Sequence, residues 1–207
     1  MNETNERTAP SPWQEFASNP ASYAAASRIA ACFDDSLSAT VCVALTRSPR
    51  VRTRVNTLIQ RTYRLAPLRP DEACSEPDKA IALAPADRLA VIARRSGAIF
   101  WSAAIANVMV ARQVAKLHEQ LGEDVYRFAL TQREFAGPPR SIEPLTEAGA
   151  SIARDGWRCL AAWCQAQSEA VGARVRLKLP PSEAIDQKAA SPFAELGPEI
   201  VRRAAMG

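Results

Sequence analysis

The stretch from Arg88 to Pro139 reads RLAVIARRSGAIFWSAAIANVMVARQVAKLHEQLGEDVYRFALTQREFAGPP. Leu89, Ile92, Ile99, Ile105, Val108, Met109, Leu117 and Leu121 fall at helical spacing within it, which predicts one or two buried helices opened by Pro85. Gly97 interrupts them. An interior glycine costs ~1 kcal/mol relative to alanine, so it marks a break or a close helix crossing. Leu121-Gly122 is a helix stop, with glycine free to take the left-handed cap. Glu123 and Asp124 then place negative charge where the next helix dipole favours it. That helix turns Val125, Phe128, Ala129, Gln132 and Phe135 inward until Gly137-Pro138-Pro139 ends it.

Working outward, the same pattern continues. Thr146 suits an N-cap, and Ile152, Gly156, Leu160 and Trp163 recur at i, i+4, i+8 and i+11 as one buried stripe with Gly156 at a close approach. Beyond Gly172, read as this helix's end, Val175, Leu177 and Leu179 alternate with Arg174, Arg176 and Lys178. A two-residue repeat predicts a short extended segment near 174–179 with one apolar and one cationic face, stopped by Pro180-Pro181. Gly197-Pro198 begins a short last helix. Toward the N-terminus, helices are expected from Pro20, from Ser36 to about Arg47, and from about Arg50 to Leu65. Residues 66–85 gather Pro67, Pro70, Pro77 and Pro85 with Asp71, Glu72, Glu76 and Asp78. The resulting division is a disordered tail at 1–12, an N-terminal helical part at 13–70, an acidic Pro-rich loop at 71–84 and a helical core at 85–207, the two helical parts forming one unit. The expected fold is mainly α, a compact multi-helix bundle.

The composition agrees. In 207 residues, 47% are apolar and 23% charged, the range of a globular protein, and 40 alanines stand against 8 glycines. That length allows one domain or at most two small ones. A net charge of +4 is too small to imply nucleic acid. There is no apolar run of membrane-spanning length, and MNETNERTAP lacks the basic start and apolar core of a secretory signal. Five cysteines with no CxxC spacing fit neither a disulfide framework nor a zinc site; they read as small core filler in a reducing compartment.

Catalytic patterns are missing. The single histidine, His118, sits in KLHEQLG, outside any HExxH, and reads as a solvated helix flank. The sequence contains no phosphate-binding glycine loop and no GxSxG. The acids of 71–78 have no rigid frame around them. Neither an enzyme nor a cofactor or metal is expected. What stands out is charge: from Ser36 to Pro70 there is no acid, but seven arginines, Arg47, Arg50, Arg52, Arg54, Arg61, Arg64 and Arg69. A one-signed cluster suits an acidic protein, phospholipid headgroups or nucleic acid; its bland reading is a solvated helix face balanced by the acidic loop. With Tyr63 as the one aromatic there, base stacking is not expected. Trp157, off the buried stripe, is either a partner anchor or a second buried face.

Several of these features in this order resemble the SctK (YscK-like) family of bacterial type III secretion. They are Arg94 with Gly97, Leu117 to Leu121-Gly122, then Phe128, Ala129 and Arg133 before Gly137-Pro138-Pro139, Gly156 with Leu160 and Trp163, and the later ARVRLKLPP. Near the start, Asn19-Pro20-Ala21-Ser22-Tyr23 and Arg28 are similar to the family's Pro-x-x-Tyr opening. The good match covers about 85–181, and residues 30–84 match in length and helical character alone. High Ala and Arg content is similar to Hrp-type members from plant-associated bacteria. The resemblance implies a cytoplasmic, non-catalytic adaptor of the injectisome sorting platform. Its partners would be a SctD-like inner-membrane ring protein and a SctQ-like pod protein, with a SctL-like stator beyond the pod. A secretion chaperone and a helical nucleic-acid-binding regulator are the alternatives. The resemblance brings no binding-residue motif, so two partner surfaces come from the residues themselves. One is Arg47, Arg50, Arg52, Arg54, Arg61 and Arg64; the other is Arg133, Phe135, Gly137 and Pro138 with the cationic Arg174, Arg176 and Lys178.

Overall fold

A 22-residue helix built on the Ile152–Trp163 stripe organises the molecule. The computed structural model describes residues 10–69 and 72–207. Its helices are α1 (Pro12–Ser18), α2 (Ala26–Ala31), α3 (Ala39–Arg47), α4 (Pro49–Thr62), α5 (Glu76–Leu83), α6 (Ala86–Phe100), α7 (Ser102–Ala106), α8 (Ala111–Leu121), α9 (Glu123–Thr131), α10 (Leu145–Ala166), α11 (Glu169–Leu177), α12 (Glu183–Asp186) and α13 (Phe193–Met206). Single 3-10 turns lie at Pro20–Ser22 and Arg133–Phe135. Among the described residues there is no strand. The fold is all-α, as the periodicity predicts; the tail expected at 1–12 lies mostly outside the described residues.

Helix α10 packs against α6 and α13. Ile152, Leu160 and Trp163 are wholly buried along it. Gly97 of α6 and Gly156 of α10 face each other where these helices cross. A Cβ on Gly97 would lie 2.0 Å from the Ile152 carbonyl oxygen, and one on Gly156 2.0 Å from that of Ala93. The interior glycine therefore marks a crossing with backbones in contact, not a break. Gly122 caps α8 at φ 77, a conformation L side chains rarely adopt. Helix α13 starts before Gly197-Pro198 and runs through Pro198, so the last helix is longer than the sequence suggests.

The N-terminal helices divide. Ser11 and Gln14 form a capping box on α1, whose Trp13 and Phe16 enter the large core with Ile81 of α5. A smaller apolar cluster joins Ala21, Ile29, Cys42, Val55, Ile59 and Leu177. The acidic loop expected at 71–84 instead holds α5. Ser75 caps that helix, accepting from the Asp78 amide, and its acids Glu76 and Asp78 sit in the first turn, where the dipole favours them.

The extended segment expected near 174–179 is helix α11 through Leu177. Its two-residue alternation misled because the helix is covered on nearly every side. Val171, Val175 and Leu179 face the large core and Leu177 the smaller one, while Arg174 and Lys178, one turn apart, are 2% and 5% exposed. Gly172 does not end α10. It lies inside α11, where a Cβ would come 1.9 Å from the Cys164 carbonyl oxygen.

Candidate functional site

The six arginines of the first predicted surface are all exposed, and among the described residues none forms an ion pair. At ~100° per residue, Arg50, Arg54 and Arg61 fall within about 40° of one another on α4. This stripe lies opposite the buried Val55 and Ile59. Arg52 projects from another side of the helix. With Arg47, Ser22, Tyr23 and Thr46 it walls a groove of about 530 Å³. Arg64 stands past the helix end at φ 47. The sequence cluster is thus an open stripe of three with a separate pair beside a groove.

The second predicted surface comes apart. Arg133 and Pro138 are exposed, and Phe135 is half-buried under the Arg203 guanidinium at 4.6 Å. The Gly137 amide donates to the Phe100 carbonyl at 2.9 Å, and a Cβ there would strike the Phe100 ring, so this corner is folded onto the end of α6. The cations grouped with it are internal. Arg174 donates to the carbonyls of Ala17, Ala66 and Ala170 at 2.8–3.3 Å, tying the ends of two N-terminal segments to α11. Lys178 donates to Ala82 and Ala84 at 2.6 and 2.8 Å, beneath the rings of Phe16 and Tyr23. Desolvation lowers the Lys178 ammonium to about 8 and pulls the Arg174 guanidinium below its ordinary value. Arg176 alone of the three is half-exposed. Arg174 and Lys178 are consequently fasteners of the fold, not offered to a partner.

Two buried carboxylates complete that fastening, and both take a tryptophan and an arginine. Asp155 accepts from Trp101 Nε1 at 2.9 Å, Arg140 at 2.8 Å and Arg158 at 3.1 Å. Asp78 accepts from Trp163 Nε1 at 2.8 Å, Arg202 at 2.9 Å and the Ser75 hydroxyl at 2.7 Å. Burial alone would raise the Asp78 carboxyl; the hydrogen bonds from Arg202, Ser75 and Trp163 outweigh it and hold it below the usual range. Burial pushes the Cys159 thiol up and that of Cys164 to about 12, which suits inert filler. His118 is half-buried, its ring edge-on to Tyr126 at 4.2 Å, not a solvated flank. Among the described residues no three His, Cys, Asp or Glu side chains gather as a metal site would require.

Sequence reasoning missed an exposed apolar corner. Met109, expected inside, is 90% exposed and Val110 57%, because Asn107 caps α7 and the chain crosses solvent before α8. Asn107 in the polar–apolar sequence NVMV was the available signal for that end. Trp157 is half-buried and walls a groove of about 190 Å³ with Arg94, Gln120, Leu121 and Ile152.

Open cationic and apolar surface on an interior knitted by buried charges defines an all-helical scaffold. The sequence model of the family described as YOP proteins translocation protein K (YscK) matches residues 12–203, nearly the whole chain. The chain belongs to that family of type III secretion proteins. No match was found among the curated proteins or among the solved structures.

Proposed function

We propose that the chain is a non-catalytic, cytoplasmic adaptor of the type III secretion injectisome. It links the cytoplasmic domain of a SctD-like inner-membrane ring protein to a SctQ-like pod protein of the sorting platform. Through the pod it would meet a SctL-like stator. The observation that carries this reading is membership of the YscK family over residues 12–203. Side chains exposed for partners are the arginines Arg47, Arg50, Arg52, Arg54, Arg61 and Arg64, and Arg133 and Pro138 at the corner where Phe135 and Gly137 are only partly exposed. Met109 and Val110 add exposed apolar area, which favours association where it is covered.

Co-expression with the pod protein and, separately, with the ring protein's cytoplasmic domain from the same secretion cluster tests the proposal. Light scattering on the size-exclusion peak should give the mass of a complex in at least one case. Elution as a lone chain from both, at low salt, would overturn the adaptor role. Co-elution with a secreted substrate instead would favour the chaperone alternative.

A further inference from the structure

The stripe of Arg50, Arg54 and Arg61 is built unlike the centre of a stable protein interface. Such centres are depleted in charge and anchored by aromatic side chains, with arginine as their companion. No aromatic is exposed on α3 or α4. The adjoining Tyr63 is half-buried, and its hydroxyl donates to the Arg28 carbonyl at 2.8 Å. The apolar groups open there are Val41 and Val43 on α3, 43% and 37% exposed. No acid occurs from Ser36 to Pro70, the nearest in sequence being Asp34, Asp35 and Asp71. The result is a one-signed, multi-arginine surface. Guanidinium forks match phosphate oxygens in pairs, and a sheet of phosphates needs no shaped anchor. Among the described residues no helix is long and apolar enough to cross a membrane, so contact with one would be peripheral.

We propose that the α4 stripe docks on anionic phospholipid headgroups at a membrane surface, with Arg50, Arg54 and Arg61 as the principal contacts. It gives to lipid three of the arginines that the adaptor reading offers to a protein, while the adaptor role itself can hold or fail through other surfaces. Each cation close to an anionic bilayer strengthens partitioning about fivefold, so losing three weakens it by about a hundredfold.

The test is sedimentation of the full chain with vesicles of equal phosphatidylglycerol and phosphatidylcholine, against phosphatidylcholine alone. The protein should pellet with the first and stay in solution with the second, and ~0.5 M salt should release it. The variant R50E/R54E/R61E should lose pelleting while keeping the helical circular dichroism and melting of the parent. A control with the same charge change outside the stripe, R112E/R154E/K188E, should keep most of it. Absence of pelleting by the parent would overturn the proposal, as would equal loss in the two triple variants, which would reduce the effect to net charge. Parental pelleting by R50E/R54E/R61E would overturn it too; if that variant also lost a protein partner, the stripe would be a site for an acidic protein surface.

Discussion

Two stretches of this chain are close to the same local sequence: RVRTRV at 50–55 and RVRLKL at 174–179. Both are helical in large part, and both alternate cations with branched uncharged side chains. In the first, Arg50, Arg52 and Arg54 are open to solvent and only Val55 is buried deeply. In the second, Arg174 and Lys178 are more enclosed than many of the protein's apolar side chains. The difference lies in the neighbours. Helix α4 has packing partners on one side, α3 and the turn at Pro20–Ser22, so its cations keep their water. Helix α11 is wedged between α10, α5 and the N-terminal segments, so its cations give up water and take backbone carbonyls instead. A cation at the first place contributes charge to the surface; at the second it holds segments together.

The sharpest way to break the comparison is Arg174→Ala. It strips donors from the part-buried carbonyls of Ala17 and Ala66, and each acceptor left bare away from water costs ~1–3 kcal/mol. Urea denaturation should show a loss of about 4 kcal/mol, and a loss below ~1 kcal/mol would mean the N-terminal segments do not depend on α11. Asp78→Ala comes next, at about 3 kcal/mol, the lower end for a broken buried pair, because the Arg202 side chain is 32% exposed and can rehydrate. Asp78 sits below its ordinary value, so its contribution is whole above about pH 4 and fades as acid protonates it. The difference in stability between parent and D78A should therefore shrink below that pH.

Lys178 shares that direction at higher pH, although here folding disfavours the charged form. Its folded-state value is about 8, against 10.5 when unfolded, so between these the unfolded chain binds more protons and stability rises with pH. The full swing is of order 3 kcal/mol. Cys164, raised by burial, works against it at alkaline pH, so the measurement is the difference between parent and Lys178→Met from pH 7 to 10. K178M should lack the rising component; parallel curves would place the ammonium in water. The smallest effect belongs to α4. Reversing Arg50, Arg54 and Arg61 together should shift stability by less than ~0.5 kcal/mol per site, since exposed positions without partners carry little of the fold.

Much of the core was legible because helix burial repeats every 3.6 residues. The Ile152–Trp163 stripe and the Gly122 cap are local patterns that the structure repeats, and of the two readings left open for Gly97 the structure chooses the crossing, with Gly156 as its partner. The errors share one cause. Reading 174–179 as a strand assumed that cations point to water, and reading 71–84 as a loop assumed that prolines and acids mark one. In both places a helix forms, because Ser75 and the acids cap α5 and because distant carbonyls receive Arg174 and Lys178. The arginine surface was legible as composition, but its division into a three-residue stripe and the Arg47–Arg52 groove needed the helix axis. At the Met109 corner Asn107 signalled the helix end, but an apolar residue there carries no sign of which side it faces.

By itself the sequence determined the helical class, the central buried stripe, the cationic run without acids, and the motif order that resembles the YscK family. Each depends on residues near one another in the chain or on composition. The tertiary structure decided which cations are surface and which are fasteners, and which aspartates gather tryptophan and arginine. Those outcomes depend on partners up to 157 residues away, such as Trp101 for Asp155 and Ala17 for Arg174. Desolvation is set by everything packed around a side chain, and no local window of sequence contains that.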